Sequence, residues 1–321
     1  MEKRYIQRTG GTSFTVSLPK HWVEKYGLHD KDAVELTVQP NGALLIQPAR
    51  DQAAFTTTVH KIDGLSSSEL TREIIGIYLS GADEIVLKGK RLTQPQRTQI
   101  RRVAQSLMGM EIIDESSQEV VIRNIFDNSR LSIPQNITQM FVMTQTMFAD
   151  VMKALSTKDI LLAQDVADRD LEIDKLHFII IRQFRSLITG ILSEENTGIS
   201  LLNCNYYSFV ATQLERIADH AVKISEVVNS PTTKSNHDAP ELENATKQIV
   251  ALLKRSEQMV KTINKQTAHT ILDEFQTSEK LTALEPIVAD SLERVMRYVC
   301  NIAEMTIDQS LIAEAHLSAL A

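Results

Sequence analysis

Four carboxylates in this chain stand at a spacing that can do chemistry. Asp170 and Asp174 are four residues apart, as are Glu215 and Asp219, and on a helix that spacing puts each pair on one face. Like charges so placed cost a helix about 0.2–0.5 kcal/mol per pair unless a cation lies between them. Two such pairs on neighbouring antiparallel helices offer four oxygen donors at one depth. That set suits a divalent or trivalent hard cation, or a small cluster of iron, zinc or manganese. No Glu-x-x-His accompanies either pair, so the pattern is not the di-iron set of helical bundles. The same residues also read as an acidic solvent face offset by Arg169, Lys175, Arg216 and Lys223. Spacing alone leaves the two readings open. His220 adjoins Asp219 but is turned about a third of a helical turn away, and reads as a surface histidine.

A second group is basic. Lys3, Arg4, Arg8 and Lys20 fall within twenty residues that hold one acid, Glu2. Such a cluster attracts phosphate before any base is read; its bland counterpart is a set of solubilising charges. The charge is unevenly spread: residues 1–50 carry seven Lys/Arg against five Asp/Glu, net +2, residues 51–130 net −1 and the remainder net −8. An anion partner at the front and cations behind fit that asymmetry. Lys88, Lys90, Arg91, Arg97, Arg101 and Arg102 form a further basic run, which reads as a solvated helix face. The chain has no Gly-rich phosphate loop, nucleophile elbow or His/Cys/Asp set at metal-ligand spacing. The carboxylates lack an evident base, nucleophile or enclosing pocket beside them, so the chain does not read as an enzyme.

The acidic pairs need helices to hold them, and the sequence supplies these. Leu214-Glu215-Arg216-Ile217 through Glu226 returns 78 residues later as Leu292-Glu293-Arg294-Val295 through Glu304, one supersecondary unit used twice. Leu214, Ile217, Ala221 and Ile224 form the inward stripe of a helix over 200–229. Ahead of it, Ile137, Met140, Phe141, Met147, Phe148, Val151 and Leu155 mark a first helix. A second runs over about 157–192, with Val166, Leu171, Leu176, Ile180, Phe184 and Leu187 inward. Three long helices with short turns make an antiparallel bundle. Pro231 to Pro240 is a polar linker, and Glu241 to Phe275 with Glu279 to Ala315 form a shorter, two-helix echo. In that echo Arg297 stands where Asp219 would repeat, so Glu293 is neutralised internally and this half is expected to be poor in metal.

The first 130 residues are shorter elements. Arg4–Arg8 and Ser13–Leu18 read as strands joined at Gly10-Gly11, then Pro19 opens a short helix, His21–Tyr26, stopped by Gly27. Val34–Val38 and Leu44–Ile46 make a hairpin across Asn41-Gly42. Fifty residues of this kind bury little alone, so pairing with a second copy is expected. Beyond them come a strand (55–62), a helix (67–79) with a Ser66-to-Glu69 capping cluster, a strand (84–88), a helix (95–108) and strands 111–114 and 119–125. The order βαβαββ fits one small sheet with helices on one face.

Two stretches carry resemblances. Thr12-Ser13-Phe14-Thr15-Val16-Ser17-Leu18-Pro19-Lys20, followed by Gly27-Leu28 and Asp32-Ala33-Val34-Glu35-Leu36, resembles the AbrB/MazE/SpoVT swapped-hairpin module. The resemblance implies a barrel interlocked from two chains, a homodimer through this domain, and contact with double-stranded DNA by Lys3, Arg4, Arg8 and Lys20. Asp168-Arg169-Asp170-Leu171-Glu172-Ile173-Asp174-Lys175-Leu176 and Leu214-Glu215-Arg216-Ile217-Ala218-Asp219-His220-Ala221 are similar to the PhoU family of phosphate-uptake regulators. That resemblance covers about 132–312 and implies multinuclear metal sites on the bundle surface, with Asp170, Asp174, Glu215 and Asp219 as ligands. Together they make the whole chain resemble the archaeal type of PhoU-related regulator.

The fold class expected is multidomain α+β. Residues 1–50 form a swapped-hairpin β-barrel module and 51–130 a small α/β domain. Residues 131–231 form a PhoU-like antiparallel three-helix bundle and 238–315 a second, truncated repeat. The implied function is a DNA-binding, negative transcriptional regulator of phosphate uptake with a metal-binding bundle as sensor. The rival is an adaptor that binds a phosphate-transport ATPase or sensor kinase, its front domain only dimerising. No apolar run of membrane-spanning length, no evident signal peptide and only Cys204 and Cys300, far apart, fit a cytoplasmic protein without membrane insertion.

Overall fold

A computed structural model describes residues 2–38, 42–49, 55–127, 131–228, 239–277 and 284–320. The chain divides into two compact units, Met1–Ala54 and Phe55–Ala321.

In the first unit β1 (Gln7–Thr9) pairs antiparallel with β2 (Ser13–Thr15), Arg8 opposite Phe14. The ladder is shorter than the strands expected at Arg4–Arg8 and Ser13–Leu18. With the turn at Gly10-Gly11 only three residues of each arm face one another, and Pro19 cannot donate to a ladder. Helix α1 (Lys20–Lys25) follows, then β3 (Val34–Val38) and β4 (Leu44–Pro48), antiparallel with Val38 opposite Leu44. Gly42 has φ +79°, as a turn glycine should; Asn41 lies outside the described residues. The expected barrel is not closed: these are two separate two-stranded sheets. None of the unit's described residues is buried, and Tyr5, Ile6, Phe14, Leu36, Val38 and Leu44 each expose more than half their surface. One copy has too few strands to cover both sheets' apolar faces, so closure requires strands from elsewhere.

The second unit opens with the expected βαβαββ order: β5 (Thr57–Lys61), α2 (Ser67–Leu79), β6 (Glu84–Lys88), α3 (Gln94–Gln105), β7 (Met110–Glu115) and β8 (Glu119–Asn124). The sheet runs β5-β6-β8-β7, with β5 parallel to β6 and the other pairs antiparallel. Capping boxes at Ser66/Glu69 and Thr93/Gln96 start the helices. Leu70, Ile74, Tyr78, Ile100 and Val103 then pack on Ile85, Leu87, Val120 and Ile122. Much of the basic run is paired: Lys88 with Glu119 at 2.8 Å, and Arg97 and Arg101 both with Glu115.

Helices α4 (Ile133–Thr157), α5 (Ile160–Ile188) and α7 (Leu201–Val228), with the short α6 (Glu194–Thr197), form the first bundle. Its core is the expected stripe with one exchange. Leu171 is about half exposed and Ile173 is buried instead. From Val166, position 173 returns close to the same direction on a 3.6-residue helix, whereas 171 falls well over a quarter-turn away. The echo has three helices rather than two: α8 (Ala239–Thr262), α9 (Lys265–Thr277) and α10 (Pro286–Leu320). The break falls at Ile263, with φ +47°; Asn264 Oδ1 then accepts from the Thr267 N–H at 2.9 Å, capping α9. Asn264→Ala is expected to cost about 1 kcal/mol in urea unfolding followed by circular dichroism, whereas Asn264→Ser should restore most of it. Most of the expected linker, and Glu279, lie outside the described residues.

Both copies of the repeat face one core: Leu214, Ile217, Ala221 and Ile224 on α7, and Leu292, Val295, Val299 and Ile302 on α10, are all buried. Polar pairs set the antiparallel register of α7 on α10: Asn203 with Gln309 at 2.7 Å, Tyr206 with Thr306 at 2.8 Å and Gln213 with Asn301 at 3.0 Å. Among the described residues no helix is long and apolar enough to cross a membrane.

Candidate functional site

The acidic pairs sit on neighbouring helices. Asp170 and Asp174 are on α5, Glu215 and Asp219 on α7, and the two helices pack antiparallel. One polar contact gives their register: His177 Nε2 lies 3.3 Å from Thr212 Oγ1. On antiparallel helices, three residues back along one matches three forward along the other, and both rise equally. Asp174 is therefore level with Glu215, and Asp170 with Asp219. The sequence supplied two faces; packing opposes them.

The electrostatics follow from that arrangement. Burial, then Asp174 and Asp219, raise Asp170 to about 7. Burial, then Asp219, raise Asp174 to about 6. Glu215 is raised to about 7 by burial, then by Asp219, Asp174 and Asp170, against an opposing pull from Arg216. Asp219, at the exposed rim, is raised by the partial burial of its carboxyl. Carboxylates normally answer burial by finding donors. Among the described residues these four have no side-chain hydrogen bond or ion pair, and Asp170 Oδ1 is enclosed without a partner.

Three of the four cations that would offset an acidic face are engaged elsewhere, and Arg216 alone pulls on the cluster, through Glu215. Arg169 bonds Asp150 at 2.6 Å and Asp165 at 2.8 Å, Lys175 bonds Glu172 at 2.8 Å, and Lys223 reaches Asp290 at 3.4 Å. Arg216 lies 5.9 Å from the Tyr298 ring. The donor chemistry fits a hard cation: oxygen ligands, mutual repulsion, an orphaned buried oxygen and, among the described residues, no basic side chain bonded to them. Among the described residues, however, no three His, Cys, Asp or Glu side chains are closed around a common point that would hold an ion.

Two histidines flank the cluster. His220 is half-buried rather than on the surface. Its ring lies 5.8 Å from Tyr298, and Lys223, Arg294 and Asp290 form its charged surroundings, because α10 covers that side of α7. His177 was missed by sequence reasoning, though its place three residues after Asp174 was the signal. Burial, then Arg216, push it down to about 4. In the second copy Arg297 donates to Glu293 Oε1 at 2.7 Å, the internal neutralisation expected there.

The basic residues of the first unit lie on solvent. Lys3 and Arg4 precede β1, Arg8 is on it, and Lys20 opens α1; all four are exposed. Arg4 pairs with Glu2, Arg8 donates to the Gly11 carbonyl at 2.6 Å, and Lys20 lies 3.6 Å from Glu24. Exposed pairings of this kind contribute about 0–1 kcal/mol and yield readily to a stronger anion.

Residues 137–228, which carry all four carboxylates, match the family model "PhoU domain". These residues are thus similar to the PhoU domain. Residues 7–53 match a second model, "Antidote-toxin recognition MazE, bacterial antitoxin". Two strains of Caulobacter vibrioides have a "Phosphate-specific transport system accessory protein PhoU homolog" 29% identical over 148 residues, which is 44% of this chain and 62% of theirs. The protein of that name from Zymomonas mobilis subsp. mobilis is 37% identical over 86 residues, 27% of this chain and 34% of its own. The chain thus spans less than two thirds of the length of these relatives. Among solved structures it is similar to PhoU from Pseudomonas aeruginosa, with TM-score 0.48 at 19% identity over 56% of this chain and 95% of that one. A further likeness is to the phosphate transport system regulatory protein PhoU from Streptococcus pneumoniae, with TM-score 0.44 at 16% identity over 56% and 93%. The acidic ladder, on α5 and α7, falls inside the residues matched by the PhoU model.

Proposed function

We propose that this chain is a DNA-binding regulator of phosphate uptake, in which the PhoU domain senses and the MazE-type segment grips DNA. The observation that carries the reading is the presence of both domains in one chain. The relatives' names supply the phosphate-transport setting. Open apolar strands in the first unit favour a homodimer, in which two copies of Lys3, Arg4, Arg8 and Lys20 meet a symmetric duplex. Its role is regulatory rather than catalytic, repressing uptake genes when phosphate is ample.

In this reading Asp170, Asp174, Glu215 and Asp219 hold iron, zinc or manganese. A bound cation would tie α5 to α7 and cancel the charge that otherwise keeps protons on the carboxylates. Protein purified without chelator is expected to contain metal by elemental analysis, and Asp219→Ala to lose at least half of it. Equal metal in the two would return the cluster to an ordinary acidic face.

Fluorescence anisotropy on the chain's own promoter tests the DNA reading. Arg4→Ala and Arg8→Ala should each weaken binding and lower the slope of log K against log salt by about one for each phosphate left without its cation. The rival, an adaptor for a transporter ATPase or sensor kinase, predicts co-purification of those components and no DNA retention at low salt.

A further inference from the structure

We propose that the free edge of β5 is an interface for a second copy of this chain, the two β5 strands pairing antiparallel about Val59. The contact lies in the second unit and is separate from any pairing of the first.

The sheet ends at β5 on one side and β7 on the other, and the two edges are built differently. β7 carries Glu111, Asp114 and Glu115 and a bulge between Ile112 and Asp114, devices that keep an edge strand from pairing. β5, Thr57-Thr58-Val59-His60-Lys61, runs in unbroken register with β6 and holds no acid. Among the described residues no strand pairs with its outer side, and Val59 is 60% exposed. Thr58 and His60, on the helix side, are half-buried, whereas Ile85 and Leu87 beside them on β6 are 0% exposed. The helix layer stops short of this edge.

Backbone direction decides which groups are on offer. The Ile62 N–H donates to the Lys88 carbonyl at 2.9 Å, and the Thr56 carbonyl accepts from the Asp83 and Glu84 N–H groups at 2.9 and 3.0 Å. Backbone groups alternate along a strand, so Thr57, Val59 and Lys61 turn theirs away from β6. An antiparallel twofold beside Val59 then lets each Val59 N–H meet the other copy's Val59 carbonyl.

The sheet's bare face supplies the register. Val59, Val86 and Val121 form one row across β5, β6 and β8. The Glu84–Arg123 and Lys88–Glu119 pairs flank the inner part of that row, where Val86 and Val121 are each 8% exposed. Val59, at the row's end, is left open. The twofold continues the row into the second copy's Val59, so each covers the other. It also sets Thr57 opposite the second copy's Lys61 and Thr58 opposite its His60, so no two lysines or acids meet. Lys61 has no ion pair among the described residues. It arrives against a Thr57 whose hydroxyl donates to Glu84 at 3.3 Å, an acidic counterpart. This self-complementarity is what a twofold contact requires, and it favours a second copy over a foreign strand.

The test uses the full chain. Val59→Cys, oxidised with diamide, should give a disulfide-linked dimer on a non-reducing gel, because a hydrogen-bonded antiparallel pair sets Cα atoms about 5.5 Å apart. The native Cys204 and Cys300 are buried. Thr57→Cys and Lys61→Cys should each stay unlinked alone, since their like positions lie about 13 Å apart, and should link when mixed. Ile113→Cys, at the guarded edge, should not link. In the unsubstituted protein the Thr57, Val59 and Lys61 amides should exchange slowly with deuterium. Val59→Lys, which puts two cations face to face at an exposed position, should speed exchange at Thr57 and Lys61 about tenfold or more. Linking of all three cysteine variants alone would report nearness without register and overturn the pairing. Fast exchange in the unsubstituted protein would show the edge open. Slow exchange without register-specific linking would put a strand of the same chain, or of another protein, on the edge in place of the second copy.

Discussion

Arg182→Met is expected to lower the unfolding free energy of the second unit by about 3 kcal/mol, measured by urea titration at neutral pH. Arg182 is buried on α5, and its guanidinium donates to the carbonyls of Tyr78 at 2.6 Å, Ala82 at 2.8 Å and Gly81 at 3.2 Å, with Asp83 Oδ1 at 3.4 Å. Tyr78 lies in the last turn of α2, and Gly81 and Ala82 follow just beyond its end. The fork also lies 4.7 Å from the Tyr78 ring centre. Methionine fills similar volume but takes the guanidinium from three carbonyls in a dry site, of which Gly81 keeps the Thr56 hydroxyl and Tyr78 the Gly81 N–H. Lysine, a point donor without the planar fork, should recover less than half the loss. Gly81 leaves little room for adjustment: its φ is +97°, and a Cβ there would meet Ile191 Cδ1 at 3.0 Å. A loss under about 1 kcal/mol would mean water replaces the guanidinium. Because α5 also carries Asp170 and Asp174, this clamp joins the small sheet's helix layer to the helix of the acidic ladder.

The metal-free protein should lose stability as pH rises toward neutrality, the reverse of ordinary acid denaturation. Asp170 and Glu215 are raised to about 7 and Asp174 to about 6 in the fold, against about 4 in an unfolded chain. Between those values the native state holds more protons than the unfolded one, so its stability falls with pH. The contribution is fully present below about pH 4 and is lost as pH climbs through 6 to 7. His177, depressed to about 4, works in the opposite direction below about 6.5, so the clean signal lies above that point and in the difference between variants. In EDTA, Asp170→Asn or Glu215→Gln should raise the pH 8 melting midpoint by about 2–4 °C and flatten its pH dependence. On the metal reading proposed above, Zn2+ would invert the order. Asparagine variants that melt like wild type at pH 8 in EDTA would show that the four charges do not interact.

Local signals were legible where the controlling atoms are close in sequence. Ser66 and Glu69 cap their own helix, the βαβαββ order follows from alternation and turn residues, and the repeat's four apolar positions are buried in both copies. The break at Ile263 carried a quieter signal, an asparagine three residues before its threonine donor. Exchanging Leu171 for Ile173 is a phase error that a single apolar residue two positions away invites.

What the linear chain determined by itself is the inventory: two acidic pairs at helical spacing, a basic front, and amphipathic stripes long enough for a bundle. Tertiary structure decided which of these meet. Arg182 reaches carbonyls about a hundred residues earlier, and His177 meets a threonine 35 residues later. Nothing in their own neighbourhoods announces either pairing, since a helix dictates the direction of a side chain but not what waits there. The apolar packing of α5 on α7, which brings His177 to Thr212, turns two separately tolerable pairs into one repelling group of four. Among the described residues the front strands stay two separate two-stranded sheets, with their apolar side chains exposed.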